Sequence, residues 1–172
     1  MICLTTTQSD ARYAAEAVER NRRWIDMVEL RLDFWDLATP NLARQFEGVA
    51  KGLPRIVTIR RAEEGGKFDG EESERIALLD TLLATVKPEY IDLEDDLCST
   101  EAGGKLLHRA RRVGTEVIRS IHDFEGTPKE LDERVERLES AEGDIAKYAV
   151  RVTGTKELKA LFDTARRARN AR

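Results

Sequence analysis

The sequence predicts an α/β protein, a (β/α) barrel of the TIM type with about six βα units, and three observations carry that prediction. Short β-branched runs alternate with longer stretches of helical periodicity, the alternation recurs along the whole chain, and within the strands polar and apolar residues alternate at period two. Regular βα alternation implies a parallel sheet with right-handed crossovers. The period-two pattern then favours a barrel. An open doubly wound sheet buries both faces of its strands and reads more uniformly apolar.

Six runs qualify as strands in order: Ile2 to Thr7, Met27 to Phe34, Arg55 to Arg60, Glu89 to Glu94, Glu116 to His122 and Asp144 to Val150. Between them lie apolar stripes at helical spacing, such as Ile76, Leu79, Leu82, Leu83 and Val86, or Leu131, Val135 and Leu138. Pro40, Pro88 and Pro128 punctuate segment ends, Thr127 is positioned to cap the helix that Pro128 opens, and Gly114 closes the helix before the fifth strand. The last segment is an amphipathic helix with Leu158, Leu161, Phe162 and Ala165 on one stripe and a basic outer face. No linker or low-complexity stretch divides the chain, so residues 1–172 read as one domain.

Composition narrows the function. With 41% hydrophobic and 36% charged residues, the 172-residue chain can build a real core. Mixed charges and a formal net charge of -4 give no basic footprint for nucleic acid. No apolar run approaches the ~18 residues of a membrane helix, and the N-terminus lacks signal-peptide order, so a cytoplasmic protein is expected. Cys3 and Cys98 stand far apart with no His or Cys at metal-ligand spacing, so reduced structural thiols are expected and no metal site.

Strand parity collects the candidate site. Glu29, Arg31 and Asp33 share one face of the second strand against Val28, Leu30 and Leu32. Likewise Thr58 and Arg60 oppose Val57 and Ile59, Asp92 and Glu94 oppose Ile91 and Leu93, and Ser120 and His122 oppose Ile121. Lys147 is the least ordinary of the set. A lysine inside a buried strand must be paired, exposed or chemically used, because burying its charge alone costs several kcal/mol. Taken singly, each polar residue has a plain structural use: Glu29 or Arg31 in an ion pair, Glu64 as a loop carboxylate, His122 as a satisfied imidazole. Acid, guanidinium, imidazole and amine on one face of successive strands instead suggest a reactive barrel mouth.

At these residues the sequence resembles the type I 3-dehydroquinate dehydratases of the shikimate pathway. The matching motifs are ELRLD (Glu29 to Asp33), TIRRAEEGG (Thr58 to Gly66), YIDLE (Tyr90 to Glu94), SIHDFEGTP (Ser120 to Pro128) and DIAKYAV (Asp144 to Val150), in the family's order. The resemblance implies a (β/α)8 barrel without metal or organic cofactor that converts 3-dehydroquinate to 3-dehydroshikimate by loss of water. It implies that Lys147 forms a Schiff base, that His122 is general acid and base, that Glu64 assists the histidine, and that Glu29, Arg31 and Arg60 contact substrate. Chemistry of this kind needs a neutral amine for part of the time, and Arg31 and Arg60 are expected to lower the Lys147 pKa.

A complete eight-stranded barrel needs at least ~200 residues, so the expectation is a domain truncated at its C-terminal side relative to the family. Unpaired edges on the first and sixth strands would need cover, from a missing C-terminal portion, a fused domain or a homo-oligomer, a dimer being expected. Two other readings stay open at this point: another Schiff-base barrel enzyme such as a class I aldolase, and a non-catalytic binding or scaffold module built on the same fold.

Overall fold

The computed structural model describes residues 1–37, 42–141 and 143–170, with the side chains of 169 and 170 left aside. Its centre is one six-stranded parallel sheet in simple sequential order, β1 (Cys3–Thr6), β2 (Met27–Arg31), β3 (Arg55–Thr58), β4 (Tyr90–Glu94), β5 (Glu116–Asp123) and β6 (Ile145–Val150). Between and after the strands come α1 (Ala11–Asn21), α2 (Leu42–Glu47), α3 (Glu72–Thr85), α4 (Asp95–Cys98), α5 (Glu101–Val113), α6 (Leu131–Ser140) and α7 (Thr155–Asn170). Sequential order of parallel strands is the barrel topology, here curled through six strands.

Local chemistry explains where the elements start and stop. The Asp10 side chain accepts from the Tyr13 N–H at 3.0 Å and opens α1. Glu71 and Glu74 form a reciprocal capping box at α3, and the Thr100 hydroxyl accepts from the Gly103 N–H at 3.0 Å to open α5. Gly114 ends α5 at φ 80, a left-handed conformation that glycine adopts without cost. The Thr127 cap does not form: α6 starts at Leu131 after Glu130, and the Thr127 hydroxyl reaches the Arg151 carbonyl at 3.4 Å instead. Pro40 lies outside the described residues.

The outward parity of the sheet builds the main core. Val28, Leu30, Val57, Ile91, Leu93 and Val117, each 1% exposed or less, pack against Ala14 and Val18 of α1, Phe46 of α2, Leu79, Leu82 and Leu83 of α3, and Leu106, Leu107 and Ala110 of α5. The inward parity begins with a second cluster of Met27, Ile56 and Ile118, flanked by Tyr90 and Ile145. This is an apolar floor at the N-terminal ends of five strands.

Two expectations shift. The second strand stops at Arg31, and Leu32–Phe34 form a 3-10 turn that carries Asp33 off the sheet. The last segment is indeed helical, but its apolar stripe faces outward: Leu158 is 43% and Phe162 61% exposed, whereas Thr164 is the residue buried against α6. The hydroxyl of Thr164 and the guanidinium of Arg167 both bond Asp132 of α6, so polar contacts fix the helix there. No described helix is long and apolar enough to cross a membrane.

Candidate active site

Two residues along from each member of the apolar floor comes a polar one. Glu29 follows Met27, Thr58 follows Ile56, Asp92 follows Tyr90, Ser120 follows Ile118 and Lys147 follows Ile145. Period two therefore places this tier directly above the floor, on the inner face. Glu29 is held from both sides, by the Thr5 hydroxyl at 2.8 Å and the Thr58 hydroxyl at 2.9 Å. Asp92, with a fully buried side chain, accepts from the Ser120 hydroxyl at 2.6 Å, from Arg60 at 2.6 Å and from the Lys147 ammonium at 2.9 Å. The same ammonium lies 3.5 Å from Glu29. Lys147 therefore points inward, and a third of its side chain stays accessible at 35%.

Next along the strands come Arg60, Glu94 and His122. Arg60, 2% exposed, donates one arm to Asp92 and the other to Glu94 at 2.8 Å and Ser120 at 3.2 Å. His122 lies two residues beyond Ser120, which is the register partner of Lys147 across β5 and β6. Its Nδ1 stands 2.8 Å from Glu64. Because a carboxylate only accepts, Nδ1 carries the hydrogen, and in the neutral ring that leaves the lone pair on Nε2.

The loop that supplies Glu64 needs both of its glycines. Gly65 closes the 3-10 turn Ala62–Glu64 at φ 74, with the Phe124 ring against it. At Gly66 an added Cβ would sit 2.0 Å from the Arg60 carbonyl oxygen, so no other residue fits without moving the backbone. The Lys67 N–H then donates to Asp33 at 3.0 Å, pinning the loop to the turn after β2. Phe124 stacks beside His122 with ring centroids 6.2 Å apart.

Charge state is where the structure overturns an expectation. Burial works to lower the Lys147 pKa, but the carboxylates of Asp92 and Glu29 outweigh it, and the amine is raised above the ordinary lysine value. Arg60 opposes them more weakly, and Arg31 is committed to Asp33. Asp92 shows the converse. Its burial favours the neutral acid, yet Arg60 and Lys147 together hold it below the usual carboxylate range. The site thus holds an ammonium paired to carboxylates.

Of the sequence-predicted residues, Lys147, Glu29, Arg60, Glu64 and His122 come together on the inner face, linked through Asp92 or directly. Arg31 does not join that network. It forks onto Asp33 at 2.8 and 2.7 Å and lies over the Phe34 ring at 5.2 Å. Asp92, Glu94 and Ser120 were legible as members of the polar face but not as site residues, because period two gives the face and not the partner. Thr5 carried no such signal, being one threonine of three in a row.

The profile of the family described as Type I 3-dehydroquinase matches residues 2–172. The chain belongs to the type I 3-dehydroquinase family. Among its relatives, the 3-dehydroquinate dehydratase of Methanosarcina acetivorans is 38% identical over 131 residues, covering 73% of this chain and 54% of that protein. The one from Thermococcus gammatolerans is 39% identical over 140 residues, covering 80% and 62%. Crystal structures of 3-dehydroquinate dehydratases from Geobacillus kaustophilus and Aquifex aeolicus superpose with TM-scores of 0.85 and 0.80 at 26% and 29% identity, each covering 98% of this chain and 68% and 74% of theirs. The six-stranded sheet is therefore the type I 3-dehydroquinase barrel as far as its sixth strand. The chain spans between 54% and 62% of the length of the first three curated relatives it matches.

Proposed function

We propose that this chain is a type I 3-dehydroquinate dehydratase in which Lys147 captures the ketone of 3-dehydroquinate as a Schiff base. The observation that carries the reading is the inward amine of Lys147 on β6, with an imidazole oriented by a carboxylate two residues further along the neighbouring strand.

Lys147 Nζ gives up its proton as substrate displaces water, Asp92 or Glu29 being placed to take it, and attacks the ketone carbon. That proton then returns to the carbinolamine hydroxyl, which leaves as water, and the iminium that remains draws electrons from the adjacent carbon. Nε2 of His122 removes a proton there, giving an enamine, and Glu64 stabilises the imidazolium that forms. The enamine pushes out the hydroxyl one carbon further on, which leaves as water with the proton returned by His122. Water then hydrolyses the conjugated iminium, releasing 3-dehydroshikimate and the free amine. Glu29 and Arg60 border this path and meet substrate hydroxyls, while Arg31, preset by Asp33, awaits the substrate at the rim. No metal or organic cofactor enters the sequence.

The test is borohydride reduction in the presence of 3-dehydroquinate, followed by peptide mass spectrometry. A reduced adduct on Lys147, absent from Lys147→Ala, is expected together with enone absorbance from the product. Substrate consumed without any adduct at Lys147 would end the proposal. An aldol substrate set run in parallel separates the class I aldolase reading.

Three coarser expectations accompany this. The residues act as one domain. The reducing cytoplasm suits the free thiols of Cys3 and Cys98, the latter buried and pushed up to about 12. Self-association as a homodimer would cover the strand edges of β1 and β6, and sedimentation at micromolar concentration measures it.

A further inference from the structure

Behind the site, on the outer layer, lies a charge that the dehydration does not use. Arg75 belongs to α3 and its side chain is fully buried. It holds four acceptors: both oxygens of Glu72 at 2.8 and 2.7 Å, the Ile59 carbonyl at 2.9 Å, and Glu94 at 2.7 Å. Glu94 is shared, since its other oxygen bonds Arg60 at 2.8 Å. The contacts continue from Arg60 to Asp92 and from Asp92 to Lys147, giving an alternating series of charges, Glu72, Arg75, Glu94, Arg60, Asp92 and Lys147, that runs from a helix surface to the reactive amine.

We infer that Arg75 is a positioning residue that sets how tightly Asp92 holds the Lys147 ammonium, acting through Glu94 and Arg60. A buried carboxylate divides its attraction among its cations. With Arg75 in place, Glu94 is half neutralised from outside, and Arg60 is left free to spend one arm on Asp92. Without Arg75, Glu94 draws Arg60 toward itself. Asp92 then has only Ser120 and Lys147, and it binds the ammonium harder. The lost positive charge of Arg75 acts in the same sense, so both effects keep the amine protonated.

The other groups facing the amine are Cys3 of β1, Glu29 of β2 and Arg60 of β3, with Ser120 of β5 as its register neighbour. Of these, Glu29 meets the relay only at Lys147, Ser120 bonds both Arg60 and Asp92, and Arg60 is itself a member of the relay. Loosening its outer end has the opposite result: weakening Glu72 commits Arg75 more fully to Glu94, which releases Arg60 to Asp92 and frees the amine.

The inference rests on Lys147 being the reactive amine, but its test does not need turnover. Trace acetic anhydride at pH 9 labels neutral amines, and peptide mass spectrometry reads Lys147 against the exposed Lys51 in the same sample. At a pH below the amine's pKa, each unit of pKa change alters the neutral fraction tenfold. Arg75→Met is expected to slow Lys147 labelling roughly tenfold, Arg75→Lys to restore part of it, and Glu72→Gln to speed it roughly two- to threefold. Unchanged labelling in a folded Arg75→Met, or slower labelling in both Met and Gln variants, overturns the inference, since a merely loosened fold moves both the same way. Should Arg75→Met not fold, Glu72→Gln decides alone: faster labelling supports the relay, and equal or slower labelling refutes it. Borohydride trapping on the unaltered chain runs beside this, so that failure of the Schiff-base reading registers there and not in the labelling ratios. In turnover, Arg75→Met should lower kcat/KM at pH 7 and move its acid limb to higher pH.

Discussion

Replacing Asp92 by Asn tests the electrostatics on which the site depends. Asp92 stands 2.9 Å from the Lys147 ammonium. At that distance, with an effective dielectric constant of about 20, the attraction is about 6 kcal/mol. The Lys147 side chain is 35% exposed and Glu29 remains 3.5 Å away, so screening and the second carboxylate reduce the loss to about 1–3 kcal/mol, or roughly one to two pK units. Arg60, no longer neutralised by Asp92, pushes the same way. The Lys147 pKa should therefore fall in Asp92→Asn. The measurement is the pH titration of the Lys147 13Cε resonance in chain labelled with 13C-lysine, from pH 8 to 12. A midpoint equal to or above that of the unaltered chain would refute the claim that Asp92 dominates the amine. The same variant leaves the buried Arg60 one carboxylate short, and the fold should lose about 3–5 kcal/mol, seen as a lower denaturant midpoint.

Three further outcomes follow from the same geometry. His122→Ala should still yield the borohydride adduct on Lys147 but lose about 10²- to 10⁴-fold in turnover, because capture needs the amine and elimination needs the imidazole; loss of the adduct itself would count against that division. Gly66→Ala places a Cβ 2.0 Å from the Arg60 carbonyl oxygen, so it should cost about 1–3 kcal/mol and detach Glu64 from His122; a thermal melt and the pH profile of turnover both report it. Stability should also fall in acid through Asp92. Its folded pKa is depressed, so its contribution is complete above the unfolded value of about 3.9 and is lost as pH falls through the folded value. The melting temperature should hold from pH 7 to about 4 and drop below it, with a shallower drop in Asp92→Asn.

The strands were legible from sequence to within a residue or two, except where β2 turns into the 3-10 helix at Leu32. Alternation there continues in the letters while the backbone has already left the sheet, and in the turn that follows Arg31 and Asp33 bond to each other. The final helix repeats the lesson. Leu158 and Phe162 make a good apolar stripe, yet the helix is docked through Thr164 and Arg167 on Asp132, and a periodicity does not say what lies opposite it.

What the sequence determined by itself was the alternation of strand and helix and the face on which each strand carries its polar residues, because both depend on the local periods of backbone and side chain. From those came Lys147 and His122 as members of one polar face, whereas Glu64, off the strands, entered only through the resemblance to the family. Only the tertiary structure decided the charge of the site. Arginines in the sequence suggested a depressed amine, but Asp92 and Glu29 stand 2.9 and 3.5 Å from it and outweigh Arg60, and Coulomb energy depends on distance across strands that are far apart in the chain. Arg75, an unremarked arginine in a helix, became visible only when folding set its guanidinium behind Glu94.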